Sequence, residues 1–222
     1  MIEFNKAMPY EWPFQYHRIH NILDDDQLEE CLSIGDWNSY GQHSEKADIK
    51  ERIPAVRKSD NRLVHYFTPD NISPVMSRFK DHLIKWAPFL HDAKESYLRM
   101  EVHLDTTGYV LEPHTDNEEK LFTLFVYLNT TENEWEQGTD LYESESFFRS
   151  LIRKGAKLEK TSSHNLKWSD RVPYKYNSGM MFVPCKKSWH GYTGYSDIKV
   201  ERRALQVNFI STNREGVVWP LT

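Results

Sequence analysis

Two cysteines in 222 residues, Cys31 and Cys185, are too few for a disulfide framework and lack the paired spacing of a structural zinc site. A reducing compartment is the expectation. Positive charge is also short: 28 Lys and Arg stand against 33 Asp and Glu, a net charge of −5, and no basic run could neutralise a phosphate backbone. That composition predicts no nucleic-acid partner. The longest largely apolar run, Leu121 to Leu128, is far shorter than a membrane span, and the opening MIEFNKAMPYEWPF has neither the basic start nor the apolar stretch of a secretory signal. The expectation is a soluble, cytoplasmic protein with no membrane partner. A Gly-rich phosphate loop, a G-x-S-x-G elbow, an H-E-x-x-H helix and a Cys-x-x-Cys pair are all missing, so the common nucleotide, serine-hydrolase, zincin and redox readings lose their anchors.

Aromatic residues, by contrast, are plentiful. They make up 14% of the chain, within 39% hydrophobic residues overall, which supplies a sizeable core and favours strands. The length suits one domain, taken here as 1–222. Phe14 to Ile22 reads as an edge strand ending at Asp24-Asp25-Asp26, where an N-cap opens a short amphipathic helix through Leu28, Cys31 and Leu32. Leu63 to Phe67 reads as a strand. After it, Ser73 can cap a packing helix whose first turn holds Pro74 and whose apolar face carries Val75, Met76, Phe79, Leu83 and Ile84. These N-terminal helical elements span about residues 24–93. From Tyr97 the period changes to two, in Tyr97–Leu104, Leu121–Asn129, Gly179–Val183 and Arg202–Ile210. Short strands without helical crossovers predict a mainly β fold with flanking helices, an antiparallel sandwich or jelly roll. Residues 143–176 interrupt that rhythm and read as an insertion or lid, with Phe147, Phe148, Leu151, Ile152 and Trp168 able to close over a pocket.

Histidine and carboxylate carry what chemistry there is. H-x-D occurs twice, as His103-Leu104-Asp105 and as His114-Thr115-Asp116. The second follows the apolar stretch Tyr109-Val110-Leu111 and precedes a polar loop, which puts it at a strand end, where residues of one parity aim into the same cavity. His103 and Asp105 share that parity but lead into a turn, with no later strand arranged to complete them. Trp189-His190-Gly191 supplies the best third ligand. Two imidazoles and a carboxylate on one face of an ion suit non-haem Fe(II) and O₂ chemistry. Twelve residues beyond His190, alternation sets Arg202, Ala204, Gln206 and Asn208 on one face and Leu205, Val207 and Phe209 on the other, with Arg203 turned outward. An arginine in the polar row could bind a carboxylate through two parallel hydrogen bonds.

The order His114-Thr115-Asp116, Phe125-Val126-Tyr127-Leu128-Asn129, Gly138-Thr139-Asp140-Leu141, Trp189-His190-Gly191 and Arg202-Arg203-Ala204-Leu205 resembles the Fe(II)/2-oxoglutarate-dependent dioxygenases of the prolyl-hydroxylase-like group, over roughly residues 97–211. The resemblance implies a double-stranded β-helix and makes His114, Asp116 and His190 the iron ligands. It makes Arg202 the partner of the far carboxylate of 2-oxoglutarate, with the Tyr127 hydroxyl added to that carboxylate, Leu141 lining the co-substrate, and His103 at a position where other members place a polar contact. It further implies hydroxylation of a C–H bond with release of succinate and CO2, O2 as co-substrate and ascorbate as a candidate reductant. The carboxylate of Asp116, where related halogenases carry a small residue, favours hydroxylation over halogenation. A small-molecule substrate is preferred, with a peptide side chain as the other class. Arg57 and Arg62 match nothing in the pattern. A jelly-roll, cupin-like binding protein without 2-oxoglutarate turnover, using Arg202 for an acidic ligand, is the alternative.

Overall fold

Asp24 opens the first helix through a reciprocal capping box: its carboxylate accepts from Gln27 N at 3.0 Å, and the Gln27 side chain accepts from Asp24 N at 3.1 Å. The helix that follows is α1 (Asp25–Ser33). Ser73 plays the same part for α2 (Pro74–Trp86), its hydroxyl accepting from Met76 N at 3.1 Å. The computed structural model describes residues 8–35, 37–39, 61–86, 96–117, 119–130, 134–144, 166–193 and 201–211. Among these no helix is long and apolar enough to cross a membrane.

Twelve strands accompany the two helices among the described residues: β1 (Met8–Tyr10), β2 (Tyr16–His20), β3 (Asn38–Ser39), β4 (Arg62–Phe67), β5 (Ser96–Thr106), β6 (Leu111–His114), β7 (Lys120–Tyr127), β8 (Thr139–Ser144), β9 (Leu166–Val172), β10 (Ser178–Phe182), β11 (Trp189–Tyr192) and β12 (Glu201–Ser211). They form an eight-stranded sheet in the order β1-β2-β10-β7-β12-β5-β4-β3 and a four-stranded sheet in the order β6-β11-β8-β9. Neighbours in both are antiparallel. This is the jelly-roll architecture the sequence predicts.

The alternation in β12 decides what each face of the large sheet does. Leu205, Val207 and Phe209 join Leu28, Met76 and Phe79 of the helices in one buried cluster, so the helices close the outer face. Each such side chain contributes about 1.5–3 kcal/mol relative to exposure. Arg202 and Gln206 turn the other way, into a cavity shared with the small sheet. A second cluster, containing Tyr16, Tyr127, Leu141, Tyr174 and Phe182, fills the space between the sheets beside that cavity.

One expectation is corrected and one gains detail. The Phe14–Ile22 strand is not at an edge: β2 pairs with β10 on one side and with β1 on the other, and short β1, whose Pro9 has no N–H to donate, takes the margin. The insertion expected over 143–176 contains β9, paired to β8 with a shift of register between Leu141 and Tyr142. That irregularity, together with exposed Lys167 and Trp168, hides the period of two in this margin strand. Residues 145–165, including the remaining aromatic and aliphatic candidates for a lid, lie outside the described residues, as does Arg57.

Candidate active site

His114 ends β6 and His190 sits on β11, and the register of the small sheet places them directly opposite each other. Gly191 permits the approach, because a Cβ there would stand 2.7 Å from the Leu111 carbonyl oxygen. The two imidazole centroids are 4.4 Å apart. Asp116, two residues beyond the strand end, swings its carboxylate to the same point, and one donor atom from each of the three side chains lies within 4.8 Å of the others.

Backbone carbonyls fix the imidazoles. His114 Nδ1 donates to Glu112 O at 3.0 Å and His190 Nδ1 donates to Ser188 O at 2.9 Å, which leaves each Nε2 as the free lone pair. Burial holds both imidazoles below their ordinary pKa, His114 at about 3 with help from His190, so both are neutral and ready to ligate. Burial alone would push the Asp116 carboxyl up. The Lys120 ammonium overcomes it and keeps the group ionised. Lys120 Nζ and Thr123 Oγ1, the latter at 2.8 Å, both donate to Asp116 and orient it.

From this point a cavity of about 240 Å³ runs between the sheets to Arg202. The Arg202 guanidinium lies 3.8 Å from the Tyr192 ring centroid and donates from Nη1 to Asp105 Oδ2 at 3.0 Å. Its Nε is buried without a hydrogen-bond partner among the described residues. Arg203 is turned out of the cavity, as alternation predicts, donating to Glu201 at 3.1 Å and lying 5.6 Å from the Trp37 ring centroid.

The other predicted site residues stand behind the wall. Tyr127 is fully buried and reaches the cavity at one remove, its hydroxyl 2.6 Å from the Oγ1 of cavity-lining Thr139. Leu141 packs in the second apolar cluster instead of lining the cavity. His103 is fully buried, with Nε2 3.3 Å from Glu101 Oε1 and its ring 6.4 Å from that of Phe125. Parity aims all three inward, but their neighbours Thr139 and Phe125 are the ones that line the cavity.

The sequence reading missed Lys120, Thr123 and Tyr109, set Asp105 aside with His103, and left Arg62 without a role. Lys120, four residues after Asp116, and the same-parity Asp105 were open to a local argument. Arg62 was not, because β4 meets β5 only in the folded sheet, with Arg62 opposite Asp105.

No protein-family profile and no curated protein matches the chain. Solved structures do. The viral collagen prolyl hydroxylase from Paramecium bursaria Chlorella virus-1, in its 2-oxoglutarate complex, superposes with a TM-score of 0.54 at 14% identity, covering 89% of this chain and 96% of the other. HygX from Streptomyces hygroscopicus, with nickel and 2-oxoglutarate bound, gives 0.54 at 15% identity, covering 89% and 83%. The α-ketoglutarate-dependent epimerase SnoN from nogalamycin biosynthesis gives 0.54 at 13% identity, covering 91% and 82%. The chain therefore has the double-stranded β-helix fold of the prolyl-hydroxylase-like Fe(II)/2-oxoglutarate dioxygenases.

Proposed function

We propose that the protein is an Fe(II)- and 2-oxoglutarate-dependent dioxygenase that hydroxylates a C–H bond of a small-molecule or side-chain substrate and releases succinate and CO2. The observation that carries this reading is the convergence of His114, Asp116 and His190 on one point of a cavity that also holds Arg202. Two neutral imidazoles and one carboxylate on one side of an ion fit iron(II) and leave its other side open. Bound iron would activate O2 as the oxidant, with 2-oxoglutarate supplying two of the electrons as it is converted to succinate and CO2.

The chain's own residues hold and orient. The Glu112 and Ser188 carbonyls keep the Nδ1 protons, so both Nε2 atoms stay available to metal. Lys120 and Thr123 keep Asp116 ionised and aimed. The unpartnered Nε edge of Arg202 would take the far carboxylate of 2-oxoglutarate in a charge-assisted pair, with Tyr192 holding the guanidinium plane. Tyr127 acts on that end through Thr139, which its hydroxyl positions. Phe125, Met180 and Phe182 line the cavity as an apolar wall and limit water at the reacting carbon.

HygX, seen with hygromycin B bound, and the prolyl hydroxylases place small molecules and peptides on the same fold. Succinate release from 2-oxoglutarate with Fe(II) and ascorbate, screened across small metabolites and short peptides, tests the reading. Iron-dependent release that Asp116→Ala abolishes is expected. No release in any arm, or equal release by the variant, would overturn it in favour of a binding protein.

A further inference from the structure

The far end of the cavity holds two guanidiniums and one carboxylate. Asp105, buried on β5, takes both nitrogens of the Arg62 fork, Nη2 at 2.8 Å and Nε closer still, and takes Nη1 of Arg202 on Oδ2 at 3.0 Å. Arg62 lies 4.0 Å from the Tyr109 ring centroid, Arg202 lies 3.8 Å from that of Tyr192, and the two tyrosines stack at 6.2 Å and 14°. Both arginines and both tyrosines line the cavity. The charges are thus fixed on one aromatic platform and cannot swing away from one another.

The balance of charge gives Arg62 its importance. Arg202 and Asp105 alone would form a neutral buried pair, with a carboxylate standing beside any anion that approached. Arg62 restores one net positive charge, the amount that one ligand carboxylate neutralises, at a site where burial leaves little screening. The buried Nε of Arg202, without a partner among the described residues, is the donor this arrangement leaves for such a ligand.

We infer that Arg62, acting through Asp105, is a specificity-determining positioning residue that makes this pocket select a 2-oxo acid with a second carboxylate over one that lacks it. The inference rests on the co-substrate reading of the cavity. Arg62 reaches the site from β4, whereas Arg202 is the second residue of β12 and the three histidine and aspartate side chains come from the small sheet and its loop.

Calorimetric titration of the Mn(II)-loaded protein with 2-oxoglutarate and with 2-oxovalerate, its analogue without the far carboxylate, is the test, with Mn(II) binding measured separately. The wild type should prefer 2-oxoglutarate by about a hundredfold or more, and Arg62→Gln should narrow that preference at least tenfold, about 1.4 kcal/mol, with Mn(II) affinity unchanged. The Arg62→Gln/Asp105→Asn double variant, which restores one net positive charge, should regain most of the preference. A purely structural role for Arg62 would not give that recovery. Arg62→Lys keeps the charge but loses the fork to Asp105 and the stacking on Tyr109, so it should retain clearly more of the preference than Arg62→Gln, and it carries the test should the glutamine variant fail to fold. Full preference in Arg62→Gln, no recovery in the double variant, or loss of preference in a folded Arg62→Lys would overturn the inference while leaving the co-substrate reading intact. Absence of preference in the wild type would instead sink that reading.

Discussion

His103-Leu104-Asp105 and His114-Thr115-Asp116 have the same spacing and the same inward parity, yet the fold puts them to different uses. The first lies within β5, flanked by β4 and β12, so its side chains meet neighbours already in the sheet: Asp105 meets two arginines and His103 meets Glu101. The second crosses the end of β6, where the chain leaves the ladder and Asp116 can turn toward a histidine on the next strand. On the proposed function, the pair that takes the metal is the one where the strand stops. In the interior of a sheet the same pair becomes part of a buried charge network.

The largest effect that would break this comparison is loss of metal. His114→Ala or Asp116→Ala should abolish stoichiometric Fe(II) binding, while His103→Ala should keep it, as read by metal analysis of desalted protein. Metal retained by the first two and lost by the third would reverse the assignment. Next comes stability. Asp105→Ala leaves Arg62 and Arg202 facing each other without a counter-charge and should cost about 3–5 kcal/mol in denaturant unfolding. A cost below about 1 kcal/mol would show that the network is solvated and not buried.

A smaller effect separates the two adjacent arginines. Arg202→Leu should weaken 2-oxoglutarate binding at least tenfold, on the order of 1.5–3 kcal/mol for a lost charge-assisted contact, and Arg203→Leu should change it little. Equal effects would mean that the outward placement of Arg203 has no bearing on the ligand. The smallest effect is on pH dependence. Burial, then the Arg62 charge, hold His103 below its ordinary pKa, so on acidification the unfolded chain takes up this proton first. The stability this contributes is complete above about pH 6.5 and falls by up to about 1.4 kcal/mol per pH unit below it. His103→Gln should flatten that share of the slope in melts between neutral and mildly acidic pH, and an unchanged slope would contradict a neutral buried His103.

The sequence made much of this legible, for physical reasons that differ by residue. Period-two alternation in β12 set Leu205, Val207 and Phe209 against the helices and Arg202 into the cavity, because both faces of that strand are covered and only one can be apolar. His114, Asp116 and His190 could be picked out because each stands at or beside the end of an apolar stretch. Tyr127, Leu141 and His103 are fully buried beside the cavity, a depth that parity, which gives direction alone, does not show. β9 was hidden by its irregular register and exposed Trp168, and Arg62 by a pairing that exists only between distant parts of the chain.

On the proposed function, one cavity holds a metal at His114, Asp116 and His190 together with a carboxylate at Arg202. Titration of 2-oxoglutarate into the wild-type protein with and without one equivalent of Mn(II) tests it most directly. Binding at least tenfold tighter with the metal is expected, lost when either Asp116→Ala or Arg202→Leu is introduced; equal affinity with and without the metal would separate the two halves of the site.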